Sequence, residues 1–242
     1  MFVGKGDIKI DNMNIAVILA AGSGTRTGLE TPKQFVKIKD KMLIEFPLAT
    51  FQAHSGIDEI AVVTSEAYVS LMNELRDSGL YPKWKKVLQG GAERYQSSLS
   101  AIHAYEKNPD DILLIHDAAR PLISAAVISK VLETMKNCNA AVVAIPASDT
   151  VLQSFDNQHI ADIPPRKNLY YAQTPQSFRL GTLKRAFDLG MNDAAFSPTD
   201  DSGVVLRYLP EEPIVIVEGE SKNRKITYQD DLLWLASQIQ NS

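Results

Sequence analysis

The chain has 242 residues, of which 45% are apolar, and 25 Lys and Arg against 29 Asp and Glu give a net charge of −4. This length and apolar content suffice for one sizeable core, so we expect a single domain over residues 1–242. A mildly acidic chain has no general attraction for polyanions, which argues against nucleic acid as a partner.

The longest apolar run near the start, residues 15–21, is far shorter than the ~20 residues that cross a bilayer, and glycines end it. We therefore expect no membrane partner and a cytoplasmic location. Cys138 is the only cysteine, which excludes an intramolecular disulfide and a zinc site made of cysteines. We expect a buried or incidental thiol near the end of a helix.

Apolar strands alternate with amphipathic helices over the first 146 residues, a pattern typical of parallel sheets with right-handed crossovers. The first strand, residues 15–20, is apolar throughout, as expected when both faces of a sheet are covered. Further strands are predicted at 59–64, 86–89, 111–116 and 140–146, and helices at 42–54, 67–78, 94–105 and 126–137. Polar or glycine-rich turns follow these strands, where ligands of open α/β sheets bind.

Residues 147–171 interrupt the alternation with short apolar stretches, prolines and a basic pair. We interpret this segment as a β-arm that covers a site or reaches a partner subunit. After it, helices are predicted at 178–189, 201–208 and 229–240, and a strand at 214–218. The predicted fold class is α/β, with a Rossmann-like, mostly parallel sheet flanked by helices.

A glycine-rich turn, AAGSGTR at residues 20–26, follows the first strand directly. Glycines let the backbone approach a phosphate closely, and the guanidinium of Arg26 adds a positive charge with several N–H donors. The spacing fits neither the Rossmann fingerprint nor the P-loop. An isolated Gly-x-Gly is as often a plain turn, but Pro32, Lys33 and Gln34 follow in a segment that we expect to be too polar for core, which favours a site.

The turn AAGSGTR, followed by TPKQ at 31–34, resembles the cytidylyltransferases that act on 2-C-methyl-D-erythritol 4-phosphate and their relatives that act on ribitol 5-phosphate. Further motifs occur in the family's order: GGAER at 90–94 with Ser97, HDAARP at 116–121, Asp149-Thr150, Arg166, QTPQ at 173–176, TDD at 199–201 and KIT at 225–227. They run over nearly the whole chain. The resemblance implies a nucleotidyltransferase fold whose arm takes part in dimerisation.

The resemblance also implies which residues bind CTP. Nucleotidyl transfer requires that negative charge on the α-phosphate and the leaving pyrophosphate be neutralised. Arg26 and Lys33 would hold the triphosphate, and Lys225 would stabilise the five-coordinate α-phosphate. The expected nucleotide contacts are Leu19, Ala20, Ala21, Gly22, Gly24, Gly91, Arg94, Ser97 and Ala118. A tight pocket of this kind favours a pyrimidine, because unpaired buried polar groups penalise the wrong base.

Asp117 ends a predicted buried strand. A carboxylate there suits Mg²⁺ that is shared with substrate phosphates, and the alternative is a helix N-cap. In the family, this aspartate and the following Arg120 also contact the polyol. We expect His116 to be structural, and the other histidines form no spaced set for zinc.

The resemblance implies that the polyol phosphate is bound by Thr150, Arg166, Thr174 and Thr199. The guanidinium of Arg166 would donate two hydrogen bonds to the phosphate. In the family the arm enters a neighbouring subunit, so we expect a homodimer with shared sites. The alternative is that Arg166 and Lys167 are solvated loop charges.

Three features depart from the family's pattern: Thr27 replaces a methionine, Arg224 replaces an isoleucine, and residues 1–12 precede the usual start.

The expected activity is transfer of CMP from CTP to 2-C-methyl-D-erythritol 4-phosphate, for the synthesis of isoprenoid precursors. Ribitol 5-phosphate or another pentitol phosphate, for cell-wall or capsule polymers, is the alternative acceptor. A nucleotide-binding protein without catalysis, or a sugar-1-phosphate nucleotidyltransferase, is a further alternative. The presence of Arg26, Lys33, Asp117 and Lys225 together argues against a protein without catalysis. The QTPQ motif argues against a sugar-1-phosphate nucleotidyltransferase.

Overall fold

The computed structural model describes residues 12–22 and 31–240. The strands within them are β1 (Asn14–Ala20), β2 (Lys37–Ile38), β3 (Lys41–Met42), β4 (Glu59–Thr64), β5 (Trp84–Gln89), β6 (Ile112–Asp117), β7 (Ala140–Pro146), β8 (Tyr170–Arg179) and β9 (Val215–Glu218). The α-helices are α1 (Glu45–Ala53), α2 (Val69–Asp77), α3 (Arg94–Tyr105), α4 (Ala125–Met135), α5 (Leu180–Gly190), α6 (Asp201–Tyr208) and α7 (Gln229–Gln240). None of the helices in the described ranges is long and apolar enough to span a membrane.

Seven strands form one sheet in the order β5-β4-β1-β6-β8-β7-β9, and β2 and β3 form a separate short hairpin. β1 pairs in parallel with β4 and β6, so the carboxyl ends of these strands meet at one edge. β8 runs antiparallel between β6 and β7. The predicted mostly parallel sheet is thus confirmed, with one antiparallel strand inside it.

Apolar side chains cover both faces of the sheet. On one face, alternate residues of β1 such as Ala16 and Ile18 pack with α1, α2 and α4. On the other face, Ile15 and Val17 pack with α3, α5 and α6. This two-sided burial explains why the central strands are continuous apolar runs. A third cluster, formed by Ile38, Leu43, Ile226 and Leu235, holds α7 against the hairpin.

Most predicted elements occur within three residues of their expected bounds, but β8 and the two-residue strands β2 and β3 were not predicted, and Met42, the expected start of a helix, lies in β3. Its middle reads Gln173 to Ser177 and contains Pro175, and proline in a central strand removes a ladder hydrogen bond. The pairing with β7 is correspondingly irregular between Val142 and Ala144. The helix predicted from residue 178 begins at Leu180, because Phe178 and Arg179 complete the strand.

The segment from 147 to 169, which we call the arm, leaves the sheet after β7 and returns as β8. Its strand pairing is limited, in the described chain, to one bridge between Gln153 and Asp162. Residues 170–171 of the predicted arm belong to β8. The arm exposes large apolar side chains, including Leu152, Ile160 and Phe155, which is 84% exposed.

We predict that Phe178→Ala lowers the free energy of unfolding by about 3–5 kcal/mol, because this fully buried ring lies in the central strand β8. Urea denaturation measures the change. Leu206→Ala is the control, since Leu206 is 64% exposed and should change stability by less than about 0.5 kcal/mol. Equal losses in the two variants would contradict the placement of β8 in the core.

Candidate active site

A cavity of about 400 Å³ opens where β1 and β6 end. Its lining residues come from six separate parts of the chain and are Leu19, Ala20, Ala21, Gly22, Lys33, Gln34, Gly91, Ala92, Glu93, Arg94, Ser97, Asp117, Ala118, Ala119, Thr199 and Lys225. All described residues predicted to contact the nucleotide are among them. Gly24 and Arg26, which were also predicted for the site, and Thr27 lie outside the described residues.

Asp117 lies between two cations at the base of the cavity. Its Oδ2 is 2.7 Å from Nζ of Lys225, and its Oδ1 is 3.4 Å from Nε of Arg94. Burial by itself raises the pKa of the Asp117 carboxyl, but Arg94 and Lys225 outweigh it and hold that pKa well below its usual range. Asp117 is therefore ionised at neutral pH. No helix starts after it among the described elements until α4, whose N-cap is Ser124, so Asp117 is not a helix cap.

Arg94 is the first residue of α3, and a capping box between Glu93 and Gln96 fixes the start of this helix. The preceding Gly90 packs closely: a Cβ there would lie 2.5 Å from Oγ of Ser97 and 2.8 Å from Cβ of Ala21. Only glycine fits this contact, which brings the start of α3 against the end of β1. The end of β1 and the start of α3 therefore lie side by side in one wall of the cavity.

Lys33 and Gln34 lie in a short 3₁₀-helix, Lys33–Phe35, and both are buried. The expectation that this segment is too polar for burial was therefore wrong. The Gln34 amide donates hydrogen bonds of 2.7 Å to the carbonyls of Ala20 and Gly22, which explains how a polar side chain is accommodated. Gln34 thus fixes the first turn of the glycine-rich segment, and Lys33 lines the cavity beside it.

Lys225 lies in an irregular segment between β9 and α7, and its neighbours anchor it. The fully buried Asn223 donates from its amide to the carbonyl of Thr174 at 2.8 Å. The N–H of Ile226, also fully buried, donates to the carbonyl of Ala119 at 2.8 Å. Because both flanks are fixed, the position of the Lys225 side chain depends on packing against β8 and the end of β6.

Arg120 and Thr174, predicted to bind substrate, are not among the residues that line the cavity. Arg120 donates to the carbonyls of Asn223 and Ala172 at 2.9 and 3.0 Å. The Thr174 hydroxyl accepts from the N–H of Asp117 at 3.1 Å and hydrogen-bonds Nδ1 of His116 at 3.0 Å. Burial lowers the pKa of His116 to about 4. This histidine is fully buried and neutral at neutral pH, in agreement with its expected structural role.

Thr150 and Arg166 of the arm do not line the cavity of the same chain. Both are exposed, and Arg166 donates from Nη1 to the carbonyl of Ser148 at 3.0 Å. Thr199 does line the cavity. Within one chain, therefore, the arm residues are separate from the cluster around Asp117.

Arg224 does not join the cavity lining but contacts α7. Its guanidinium pairs with Asp231 and lies 4.8 Å from the ring centroid of Trp234. The other oxygen of Asp231 accepts from the N–H groups of Thr227 and Tyr228 at 2.7 and 2.9 Å. The residue that departs from the family's pattern thus fastens the chain after Lys225 to the last helix.

Sequence reasoning missed the residues that hold the site together. Besides Gln34 and Asn223, these include Gln176, whose side chain accepts from the N–H groups of Asp201 and Ser202 at 3.1 and 3.0 Å. Gln34 and Gln176 stand in the motifs TPKQ and QTPQ, and Asn223 lies two residues before Lys225. An amide side chain close to a predicted ligand was the signal that the sequence offered.

The chain is similar to members of one family along nearly its whole length. The family model described as 2-C-methyl-D-erythritol 4-phosphate cytidylyltransferase matches residues 14–241. The protein of that name from Thermobifida fusca is 41% identical over 222 residues, which cover 90% of this chain and 89% of that protein.

Two further relatives show the range of the similarity. The bifunctional ribulose 5-phosphate reductase/CDP-ribitol pyrophosphorylase Bcs1 of Haemophilus influenzae is 43% identical over 223 residues, 91% of this chain and 47% of that protein. The crystal structure of 4-diphosphocytidyl-2C-methyl-D-erythritol synthase from Anaerococcus prevotii matches with a TM-score of 0.81 and 26% identity, over 95% of this chain and 96% of that one.

We predict that Asn223→Leu lowers the free energy of unfolding by about 1–3 kcal/mol, because it leaves the buried carbonyl of Thr174 without this donor. Chemical denaturation followed by fluorescence measures the loss. Lys222→Ala, at a neighbouring exposed position, is the control and should change stability by less than about 0.5 kcal/mol. An Asn223→Leu variant as stable as the wild type would show that Asn223 does not anchor the segment.

Proposed function

This chain belongs to the 2-C-methyl-D-erythritol 4-phosphate cytidylyltransferase family, and we propose that it transfers CMP from CTP to 2-C-methyl-D-erythritol 4-phosphate. The reaction releases pyrophosphate and serves the synthesis of isoprenoid precursors. The observation that carries this proposal is the cavity at the ends of β1 and β6, where Arg94 and Lys225 contact one ionised carboxylate, Asp117, and Lys33 lines the same cavity. Such a site suits a polyphosphate substrate.

In the proposed reaction, an oxygen of the acceptor phosphate attacks the α-phosphorus of CTP. A new P–O bond forms as the bond to the β-phosphate breaks, and pyrophosphate leaves with the electron pair. The acceptor phosphate is already ionised near neutral pH, so the mechanism requires no general base. Lys33 and Arg26 would neutralise the triphosphate. Lys225, which is 38% exposed into the site, would exchange Asp117 for the α-phosphate as charge builds there.

Cytosine would lie against the wall formed by the end of β1 and the start of α3. Ala21 and Ser97, which come close together at Gly90, both line this wall. A pyrimidine fits such a tight wall better than a purine, and a base that leaves buried polar groups unpaired is rejected.

Asp117 would hold Mg²⁺ together with the substrate phosphates. The described residues contain no group of three or more His, Cys, Asp or Glu side chains that could bind a metal by themselves. One carboxylate in the cavity lining nevertheless fits Mg²⁺, which takes few protein ligands and keeps several waters. When bound, the ion adds positive charge at the phosphates.

We also propose a homodimer in which the arm of each subunit contributes to the active site of the other. Thr150 and Arg166 lie away from the cavity of their own chain, and the arm exposes apolar side chains such as Phe155 and Ile160. Exposed apolar groups of this kind mark interaction surfaces. Arg166 would therefore bind the acceptor phosphate in the cavity of a second copy. CTP and the acceptor are the proposed small-molecule partners, and the cytoplasm, where CTP is available, is the proposed location.

A pentitol phosphate is the alternative acceptor, and one observation favours it. The relative from Haemophilus influenzae, whose printed name includes CDP-ribitol pyrophosphorylase, is 43% identical to this chain. Methylerythritol phosphate and ribitol 5-phosphate both carry hydroxyls and a terminal phosphate. Recognition of the carbon chain would therefore depend on groups near Arg120 and the arm.

We predict that the protein releases pyrophosphate from CTP and Mg²⁺ with 2-C-methyl-D-erythritol 4-phosphate and at least about 100-fold more slowly with ribitol 5-phosphate, since a misfitting polyol leaves buried polar groups unpaired. A coupled pyrophosphate assay measures both rates in parallel. Faster turnover of ribitol 5-phosphate would select the alternative function, and turnover of neither would contradict both.

We predict that Lys225→Met lowers kcat about 10²–10³-fold, because it removes a positive charge from the transition state. Lys33→Met should lower kcat/KM for CTP by a comparable factor. Lys222→Met is the matched control, since its exposed side chain pairs only with Glu220 among the described residues. Wild-type rates in the Lys225 variant would contradict the proposed role.

We predict that two inactive variants, Lys225→Met and Arg166→Ala, restore activity when their subunits are mixed. If the arm enters the partner's cavity, a mixed dimer has one intact site, so random mixing should recover about a quarter of the wild-type activity. Mixing of the purified variants after mild dissociation provides the test. Inactive mixed dimers, verified by mass, would show that each arm serves its own chain.

A further inference from the structure

Arg94 lies between two carboxylates. Its Nη1 is 2.7 Å from Oδ2 of Asp201, and its Nε is 3.4 Å from Oδ1 of Asp117. Asp201 is fully buried, whereas Asp117 lines the cavity. The shorter contact is thus made to the carboxylate that does not face the substrates.

Asp201 is itself held in place. It is the first residue of α6, and Asp200, the N-cap, accepts from the N–H of Gly203 at 2.9 Å. The side chain of Gln176 accepts from the N–H of Asp201 at 3.1 Å and donates to Asp200 at 2.7 Å. The central strand β8 therefore fixes the carboxylate to which Arg94 is bound.

The arrangement around Asp201 is not the one that stability alone would favour. Oδ1 of Asp201 is buried and has no hydrogen-bond partner among the described residues. A buried charge with one unsatisfied oxygen costs free energy, and well-packed apolar residues often replace such ion pairs without loss of stability. A role in the active site explains why an aspartate stands at position 201 despite this cost in free energy.

Without Asp201, the guanidinium of Arg94 would be free to bind Asp117 through two parallel hydrogen bonds, the geometry that arginine and carboxylate prefer. Lys225 already occupies Oδ2 of Asp117 at 2.7 Å. If Arg94 also bound it strongly, the oxygens of the Asp117 carboxylate would have few lone pairs left for a divalent ion or a polyol hydroxyl. It would also turn Arg94 away from the nucleotide.

We propose that Asp201 is a positioning residue: by binding Nη1 of Arg94, it keeps this guanidinium from closing onto Asp117. Asp117 thereby stays available to the substrates and their divalent ion, and Arg94 stays directed at the nucleotide. The inference rests on the proposed function for the identity of the ligands at Asp117. It assigns to Asp201 no contact with substrate.

The test compares Asp201→Asn, Arg94→Gln and the double variant. Asparagine has nearly the same shape as aspartate but lacks the charge that competes for Arg94. We expect the single Asp201 variant to lower kcat/KM for CTP about 10–100-fold, the range for loss of a residue that orients a ligand. Calorimetry without acceptor should show weaker CTP binding and a higher half-saturating Mg²⁺ concentration.

The double variant separates positioning from a general structural effect. If Asp201 acts only through Arg94, adding Asp201→Asn to Arg94→Gln should change kcat/KM and CTP affinity by less than about twofold. Asp193→Asn is the control, because Asp193 pairs with Arg207 and Tyr208 outside the cavity. Multiplicative losses, or a folded Asp201 variant with wild-type values, would overturn the inference.

Two further measurements keep the test decisive. If thermal melting shows that the Asp201 variant does not fold, Arg94→Lys replaces it, since a single ammonium cannot bridge both carboxylates. Wild-type CTP binding in a folded Arg94→Lys protein would then overturn the inference. If the wild type binds CTP but does not use methylerythritol phosphate, the proposed acceptor fails. The calorimetric comparison still decides the role of Asp201.

Discussion

The arrangement of this molecule depends on a chain of four alternating charges: Asp201, Arg94, Asp117 and Lys225. Successive contacts measure 2.7, 3.4 and 2.7 Å. A charge that is partly removed from water destabilises a protein strongly unless it has a partner of opposite charge. The start of α3, the end of β6, the start of α6 and the segment after β9 must therefore meet at one place. That place is the edge of the sheet where ligands of such folds bind.

The antiparallel strand β8 helps to bring these segments together at the cavity. It is central and buried, yet its middle is polar, because its side chains bind the segments that carry the charges. Gln176 holds the start of α6, Gln173 and the carbonyl of Thr174 hold Asn223, and the hydroxyl of Thr174 holds the end of β6. An apolar strand would pack well in the sheet but would leave the loops around the cavity without hydrogen-bond partners.

Much of the fold could be predicted because the parallel strands, such as β1, are apolar on both faces. β8 escaped prediction because Pro175 and its polar neighbours are typical of a turn, and only their distant partners make them a strand. The cavity residues near glycines were predicted by resemblance. The roles of Asn223 and Asp201 were not, because they arise from contacts such as that between Arg94 and Asp201, 107 residues apart. Arg166 cannot be related to a cavity through local sequence.

In the proposed reaction, Lys225 exchanges its contact with Asp117 for contacts to substrate. A crystal structure with CTP and Mg²⁺ tests this exchange. We expect Nζ of Lys225 within hydrogen-bond distance of an α-phosphate oxygen and the ion bound to Asp117, with Arg94 still paired to Asp201. A triphosphate bound elsewhere, or bound while Lys225 keeps its 2.7 Å contact with Asp117, would contradict the account.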